Sequence, residues 1–144
     1  MIVLDPTVLV YATAADHHFR EPCRQLVSAI ADGRLAATTT VEVIQEFAHV
    51  RARRCGRADA AGLAGDYVEL LTPLLAVTTA DLRAGLTLFR RVEGLGAFDA
   101  VLAAAAVGSA ATLVSADIAF AAIGELTHVV PDVAGVRGLL RSPA

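Results

Sequence analysis

Four short stretches of this 144-residue chain each set one acidic residue beside an apolar run or a helix start: IVLDPTVLVYA, TTTVEVIQEF, GAFDAVLAAAA and TLVSAD. If the fold gathers Asp5, Glu46, Asp99 and Asp117 in one place, they form an oxygen-only cluster suited to a hard divalent cation. An ion held this way activates water and steadies a phosphodiester during displacement. All 12 basic residues are arginine and lysine is absent. A P-loop ATPase and a phospho-receiver domain with a strand-end lysine are therefore excluded, and phosphate contact falls to the planar, bidentate guanidinium. With no lysine and no nucleophile–base constellation, a covalent intermediate is not expected.

The elements that must position these acids follow from the apolar pattern. Ile2 to Leu4 reads as a buried strand stopped by Asp5-Pro6, with a helix from Thr7 to about Thr13. Helical spacing returns through Cys23, Leu26, Val27 and Ile30 and ends at Gly33; Leu35 to Thr38 reads as a second strand. Thr40 has the chemistry of an N-cap for a long helix to Arg54, which Cys55-Gly56 closes. Asp59 to Leu71 reads as helix, Leu74 to Thr78 as strand and Asp81 to Val92 as helix. A Gly94-Leu95-Gly96 turn precedes an alanine-rich helix from Ala97 to Ala106. Leu113-Val114 and Val129-Val130 complete the strands. Strands alternating with helices imply an α/β fold, a single domain over residues 1–140 with a parallel sheet of about four to five short strands flanked by helices. Residues 141–144 read as a frayed tail.

Each acid also has a role that needs no metal. Asp5 before Pro6 is a helix N-cap with proline at the first helical position, and Asp117 can cap a short helix from Ile118. Asp99 lies in the first turn of its helix, where a carboxylate favours the positive end of the dipole by about 0.3–1 kcal/mol. Phe98, Val101, Leu102 and Ala105 around it predict burial on most sides, where an unpaired acid is costly. Glu42 and Glu46 lie one turn apart on one face, so only one is needed in a site.

Composition adds bounds. Hydrophobic residues make up 56% of the chain, above the usual share, an excess that a buried sheet and a self-association surface would both absorb. No apolar run is long enough to span a bilayer and the N-terminal stretch lacks a signal-peptide pattern, so the chain is read as cytoplasmic. Cys23 and Cys55 lie far apart with no metal-ligand spacing and read as inert thiols. The formal charge of −3 is unlike that of most nucleic-acid binders, a deficit that four gathered carboxylates would explain and a bound cation would offset locally.

In their order and spacing, the four stretches resemble the motifs of PIN-domain ribonucleases, and specifically of VapC-type toxins from bacterial toxin–antitoxin pairs. IVLDPTVLVYA resembles the family's first strand and acid, with a small polar residue, Thr7, two positions later. TTTVEVIQEF places Glu46 six residues after Thr40 and directly before Phe47. GAFDAVLAAAA resembles the third motif, and TLVSADIAF the fourth, with Ser115 two residues before Asp117. Two departures stand out: Pro6 removes a backbone donor beside Asp5, and Ala119 stands where many relatives carry a further acid. The resemblance implies Mg²⁺- or Mn²⁺-dependent hydrolysis of RNA with water as nucleophile. Asp5, Glu46, Asp99 and Asp117 would be the catalytic and metal-binding acids, with Thr7 and Ser115 in support. It also implies a homodimer and a cognate VapB-type antitoxin whose C-terminal segment occupies the acidic cleft.

Arg51, Arg53, Arg54 and Arg57 are the one dense basic group and are assigned to RNA backbone contact, although cations at a helix C-terminus also simply favour its dipole. His17, His18, His49 and His128 lack metal-ligand spacing and read as structural or surface groups, with Asp16-His17-His18 a candidate recognition loop. Two other classes stay open. One is a catalytically silent PIN-like domain that binds RNA or a partner; the other is a small-molecule phosphohydrolase, although Thr7 occupies the second position of the DxD that one such family uses. GLGAFD lacks the preceding strand and third glycine of a dinucleotide fingerprint.

Overall fold

A computed structural model of the protein describes residues 1–14 and 16–141. Four short strands, β1 (Ile2–Leu4), β2 (Ala37–Thr38), β3 (Thr112–Val114) and β4 (His128–Val129), pair in the order β2-β1-β3-β4, all parallel. Seven α-helices surround them: α1 (Pro6–Thr13), α2 (Arg20–Ala31), α3 (Val41–Cys55), α4 (Arg57–Leu71), α5 (Thr79–Arg91), α6 (Ala97–Gly108) and α7 (Val133–Arg141). A short 3-10 helix, Ile118–Ala122, links β3 to β4. The α/β class, the parallel sheet and the flanking helices all match the sequence pattern. The two central strands are aliphatic and mostly buried because helices cover both faces of the sheet, while β2 and β4 at its edges are more polar and partly exposed.

Chain direction fixes where a ligand can sit. From β1 the chain moves to β2 on one side, then returns across the molecule to β3 on the other, so the order reverses between β1 and β3. In an open parallel sheet the crevice at such a reversal, beyond the carboxyl ends of the strands, is where ligands bind. Asp5 directly follows β1, and its N–H donates to the Val114 carbonyl of β3 at 3.0 Å. Ser115 directly follows β3. Thr39 Oγ1 donates to the Leu4 carbonyl at 2.6 Å, and Thr40 caps α3 by accepting from the Val43 N–H. The end of β1 is thus tied to the start of the helix that carries Glu46.

Three expectations are corrected. Leu74–Thr78 is not a strand: β2 is two residues long, and Thr40 then turns into the cap of α3, so the segment finds a single bridge, Leu75 to Thr40. The second strand correspondingly begins at Ala37 rather than Leu35. Arg141, expected in a tail, ends the unexpected helix α7, while the rest of that tail, residues 142–144, lies outside the described residues. Asp132 Oδ1 accepts from the Gly135 N–H at 2.7 Å at the start of α7, and Val136 is buried. A Cβ on Gly135 would lie 2.0 Å from the Val130 carbonyl oxygen, so the glycine that argues against a helix in sequence is what lets this one pack.

Phe47 on α3 meets Tyr67 on α4 edge-on, at 5.1 Å and 89°, an arrangement aromatic pairs favour. Helices α5 and α6 cross closely at Gly85, where a Cβ would lie 2.6 Å from Val101 Cα. Gly85→Ala should therefore lower stability by about 1–3 kcal/mol through overpacking. Gly62→Ala and Gly65→Ala in α4, where a Cβ meets open space, should each raise it by roughly 0.5–1 kcal/mol. Thermal unfolding checks both; a Gly85→Ala protein as stable as the wild type would mean that α5 and α6 can separate without cost.

Candidate active site

Asp5 is the most constrained polar group at the carboxyl end of the sheet. It is only 3% exposed, and its Oδ2 accepts three hydrogen bonds: from Thr7 N–H at 3.0 Å, from Thr7 Oγ1, and from Ser115 Oγ at 2.9 Å. The network continues outward, since Ala116 N–H donates to Thr7 Oγ1 at 3.1 Å and Asp117 N–H donates to Ser115 Oγ at 3.0 Å. His128 Nε2 lies 3.0 Å from the Ser115 carbonyl oxygen. Thr7 and Ser115 thus join the first and fourth motifs through one carboxylate oxygen. Pro6 occupies the first turn of α1 without loss, because the cap is completed at the Thr7 N–H.

The other three acids reach this point from different elements. Asp117 is exposed and caps the 3-10 helix, its Oδ1 accepting from the Ala119 N–H at 2.8 Å. Asp99 lies in the first turn of α6, half-buried. Phe98 beside it is exposed rather than buried as expected: in this turn the apolar face that reaches the core begins at Ala100. Glu46, on α3, faces a groove of about 580 Å³ with Thr7, whereas Glu42 lines another with Thr40, Thr78 and Phe98. The two same-face glutamates therefore look into different spaces.

Their charges are coupled. Burial pushes the Asp5 carboxyl above the ordinary range, the Thr7 and Ser115 hydrogen bonds pull it back, and the Glu46 charge raises it further. Glu46 is raised by desolvation and then by Asp99, with His49 opposing. Asp99 is raised by burial, then by Asp5 and Asp117, with the Gly96 backbone opposing. The ion pairs among the described residues, Arg34–Asp32, Arg51–Asp59 and Arg91–Glu125, involve none of the four. Asp5, Glu46 and Asp99 are thus each raised first by burial and also by an acidic neighbour, an effect that His49 partly offsets at Glu46.

That donor set fits a hard divalent ion: it is all oxygen, concentrated in charge and backed by hydroxyls. Among the described residues no three His, Cys, Asp or Glu side chains are placed to hold a metal ion together, so an ion here would be held through fewer side chains and its own waters. An open acidic rim suits Mg²⁺, which keeps several waters and binds through one or two carboxylates.

The arginines divide. Arg51 Nε donates to Asp59 Oδ1 at 2.6 Å and its Nη1 to the Thr13 carbonyl at 3.4 Å, so it fastens α3 to α4 and to the end of α1. Arg54 lines the groove shared by Thr7 and Glu46; Arg53 and Arg57 are exposed. The sequence reading passed over Thr39, whose bond to Leu4 aligns β1 with α3. Its only signal was the polar run Thr38-Thr39-Thr40 after a strand.

A parallel sheet with acidic residues beside its strand-order reversal fits an α/β nuclease. The family model of the PIN domain matches residues 2–126, and the chain belongs to the PIN-domain family. Over 97% of its length it is 56% identical to Ribonuclease VapC7 of Mycobacterium tuberculosis (strain ATCC 25618 / H37Rv), covering 98% of that protein. It is 32% identical over 99 residues to Ribonuclease VapC23 of the same species (strain CDC 1551 / Oshkosh), a match covering 69% of this chain and 78% of that one. The fold is similar to a chain in the crystal structure of VapBC2 from Rickettsia felis bound to a DNA fragment from their promoter. There the TM-score is 0.70 at 18% identity, covering 90% of this chain and 98% of the other. This chain is thus a homologue of the VapC ribonucleases, hydrolases of a generally metal-dependent family.

The raised carboxyls fix the sign of a pH effect. A group whose native pKa is raised stabilises the fold fully below its unfolded value, near 3.8 for Asp and 4.5 for Glu. That contribution is lost as pH rises through the native value. Asp59 and Glu125, lowered by their arginine partners, act oppositely and lose theirs only in acid. In chelator, the Tm should therefore fall as pH rises from about 5 to 7.5, and Asp99→Asn should flatten that slope. A metal-free wild type whose Tm climbs over this range would show that the acids do not repel one another.

Cation binding to the native state should reverse the loss. At pH 7.5, millimolar Mn²⁺ should raise the wild-type Tm, and Asp5→Asn should blunt the gain. Equal shifts in both proteins would put the ion elsewhere.

Proposed function

We propose that this chain is a cytoplasmic VapC-type toxin, an endoribonuclease that hydrolyses RNA with Mg²⁺ or Mn²⁺ and is restrained by a VapB-type antitoxin. The observation that carries the reading is that Asp5, Glu46 and Asp99 act on one another's charge beside the sheet's reversal point, with Asp117 acting on Asp99, while the ion pairs among the described residues involve none of the four. A purely structural domain gains nothing from gathering repelling carboxylates there.

In this reading Asp5, Glu46 and Asp99 hold the ion directly or through its waters, and Asp117 completes the shell. The ion, when bound, activates water and offsets charge on the phosphate. Thr7 and Ser115 keep Asp5 oriented through its Oδ2. No hydrogen bond among the described residues reaches Asp5 Oδ1, which remains available. Arg54, in the same groove as Glu46, steadies the RNA backbone; Arg53 and Arg57 extend the basic surface, and Arg51 holds the helices from which they project.

An antitoxin carrying an arginine would neutralise the acidic cleft directly. The exposed apolar residues Leu82, Leu86 and Phe89, spaced along α5, with Phe98 on α6, supply a face for the proposed homodimer.

End-labelled total RNA incubated with the protein, with and without Mn²⁺, Mg²⁺ and chelator, tests the activity: discrete metal-dependent products are expected, and their absence under every condition overturns the reading in favour of a silent binder. On the mapped RNA, Asp99→Asn should abolish cleavage while leaving a folded protein. Glu46→Gln should reduce it by at least about tenfold, roughly 1.4 kcal/mol of transition-state stabilisation, and Glu42→Gln should stay near wild type. The reverse ranking would place the site one helical turn away.

A further inference from the structure

The groove that holds Glu46 and Thr7 has a second end that the reaction does not use. Tyr11, His17, Asp16 and Arg54 also line it. His17 stacks on Tyr11 at 4.0 Å and 16°, and His18 stacks on His17 at 4.4 Å and 27°. Phe19 braces the group, tilted against Tyr11 at 5.6 Å and His18 at 4.1 Å. The Phe19 N–H donates to His17 Nδ1 at 3.2 Å, which fixes the ring and leaves Nε2 as its free donor. His18 is exposed and His17 half-buried. Tyr11 and His17 line the groove, and the ordered histidines are more than the core requires, since Tyr11 and Phe19 already pack against it.

We propose that the Tyr11–His17–His18 stack is a nucleobase subsite that seats, by stacking, the base of a nucleotide flanking the scissile phosphate. The proposal rests on the ribonuclease reading above and adds how the substrate is chosen. At about 580 Å³ the groove is in the range of small-ligand sites and has a polarity that orients a nucleotide. Of the charged groups that line it, Arg54 attracts phosphate whereas Asp16 and Glu46 repel it. Aromatic platforms accept every base because each has a π face, so preference arises from stacking strength and from edge contacts such as His17 Nε2.

The test uses a synthetic oligoribonucleotide spanning the cut mapped in total RNA, with copies in which each nucleotide flanking the cut is in turn abasic. Wild-type kcat/KM should fall about tenfold for one abasic flank, within what base–aromatic stacking supplies. His17→Ala should lose about as much on the intact oligonucleotide and nothing further on that abasic copy, a non-additivity that identifies a shared contact. His17→Phe, which keeps a ring, should recover the dependence on the base. Equal wild-type rates across the abasic series, or a full abasic penalty retained by His17→Ala, would overturn the subsite while leaving the nuclease intact. A wild type that cuts no RNA would instead overturn the ribonuclease reading on which the subsite rests.

Discussion

Everything at the carboxyl end of the sheet depends on one buried carboxylate being kept polar. Asp5 is enclosed where β1 and β3 meet, and a charge there is tolerated because three donors converge on its Oδ2. Those donors come from both sides of the strand-order reversal, Thr7 after β1 and Ser115 after β3. Satisfying the acid is therefore the same event as joining the two strands' ends. An unsatisfied group in this position would cost on the order of 1–3 kcal/mol or more, and the local fold is arranged so that none is.

The structural and chemical roles of the acids are not alternatives. Asp5 caps α1, Asp117 caps the 3-10 helix, and Asp99 sits in the first turn of α6. Each is held at a helix N-terminus, where the dipole favours its charge, and helix N-termini near the carboxyl ends of parallel strands point into a common crevice. A sheet of this handedness turns capping residues into a cluster, so little besides a carboxylate instead of a neutral cap is needed to make it anionic.

The sheet and most helices were legible because their signals are local: aliphatic runs, Thr40 as a cap, Gly56 as a stop. The second strand is shorter than its pattern, and the segment at Leu74–Thr78 makes a single bridge, because a strand exists only if its neighbour offers a ladder, and β2 ends after two residues. Helix α7 was hidden by Gly135, whose reason lies 2.0 Å away in the Val130 carbonyl, a contact no periodicity encodes. In the site, the four acids could be named from their motifs, but which glutamate faces Thr7 depends on the rotation of α3. Thr39 gave no signal of its role and His128 read only as a structural or surface group, because each acts through a backbone carbonyl, Leu4 in one case and Ser115 in the other. The arginines looked alike in sequence, and only the packing of α3 on α4 separates Arg51, bound to Asp59, from Arg54 at the groove.

The bond between Ser115 and Asp5 spans 110 positions of chain, and this separation has a consequence during synthesis. Parallel pairing of such distant segments cannot begin until the later one has been made. A nascent chain still short of β3 has its first strand, its capped α1 and three of the four acids, Asp5, Glu46 and Asp99, but neither Ser115 to hold Asp5 nor Asp117. Until then the carboxyl end of the sheet cannot be complete. The site is therefore assembled late and all at once, when Ser115 closes on a carboxylate made 110 positions earlier.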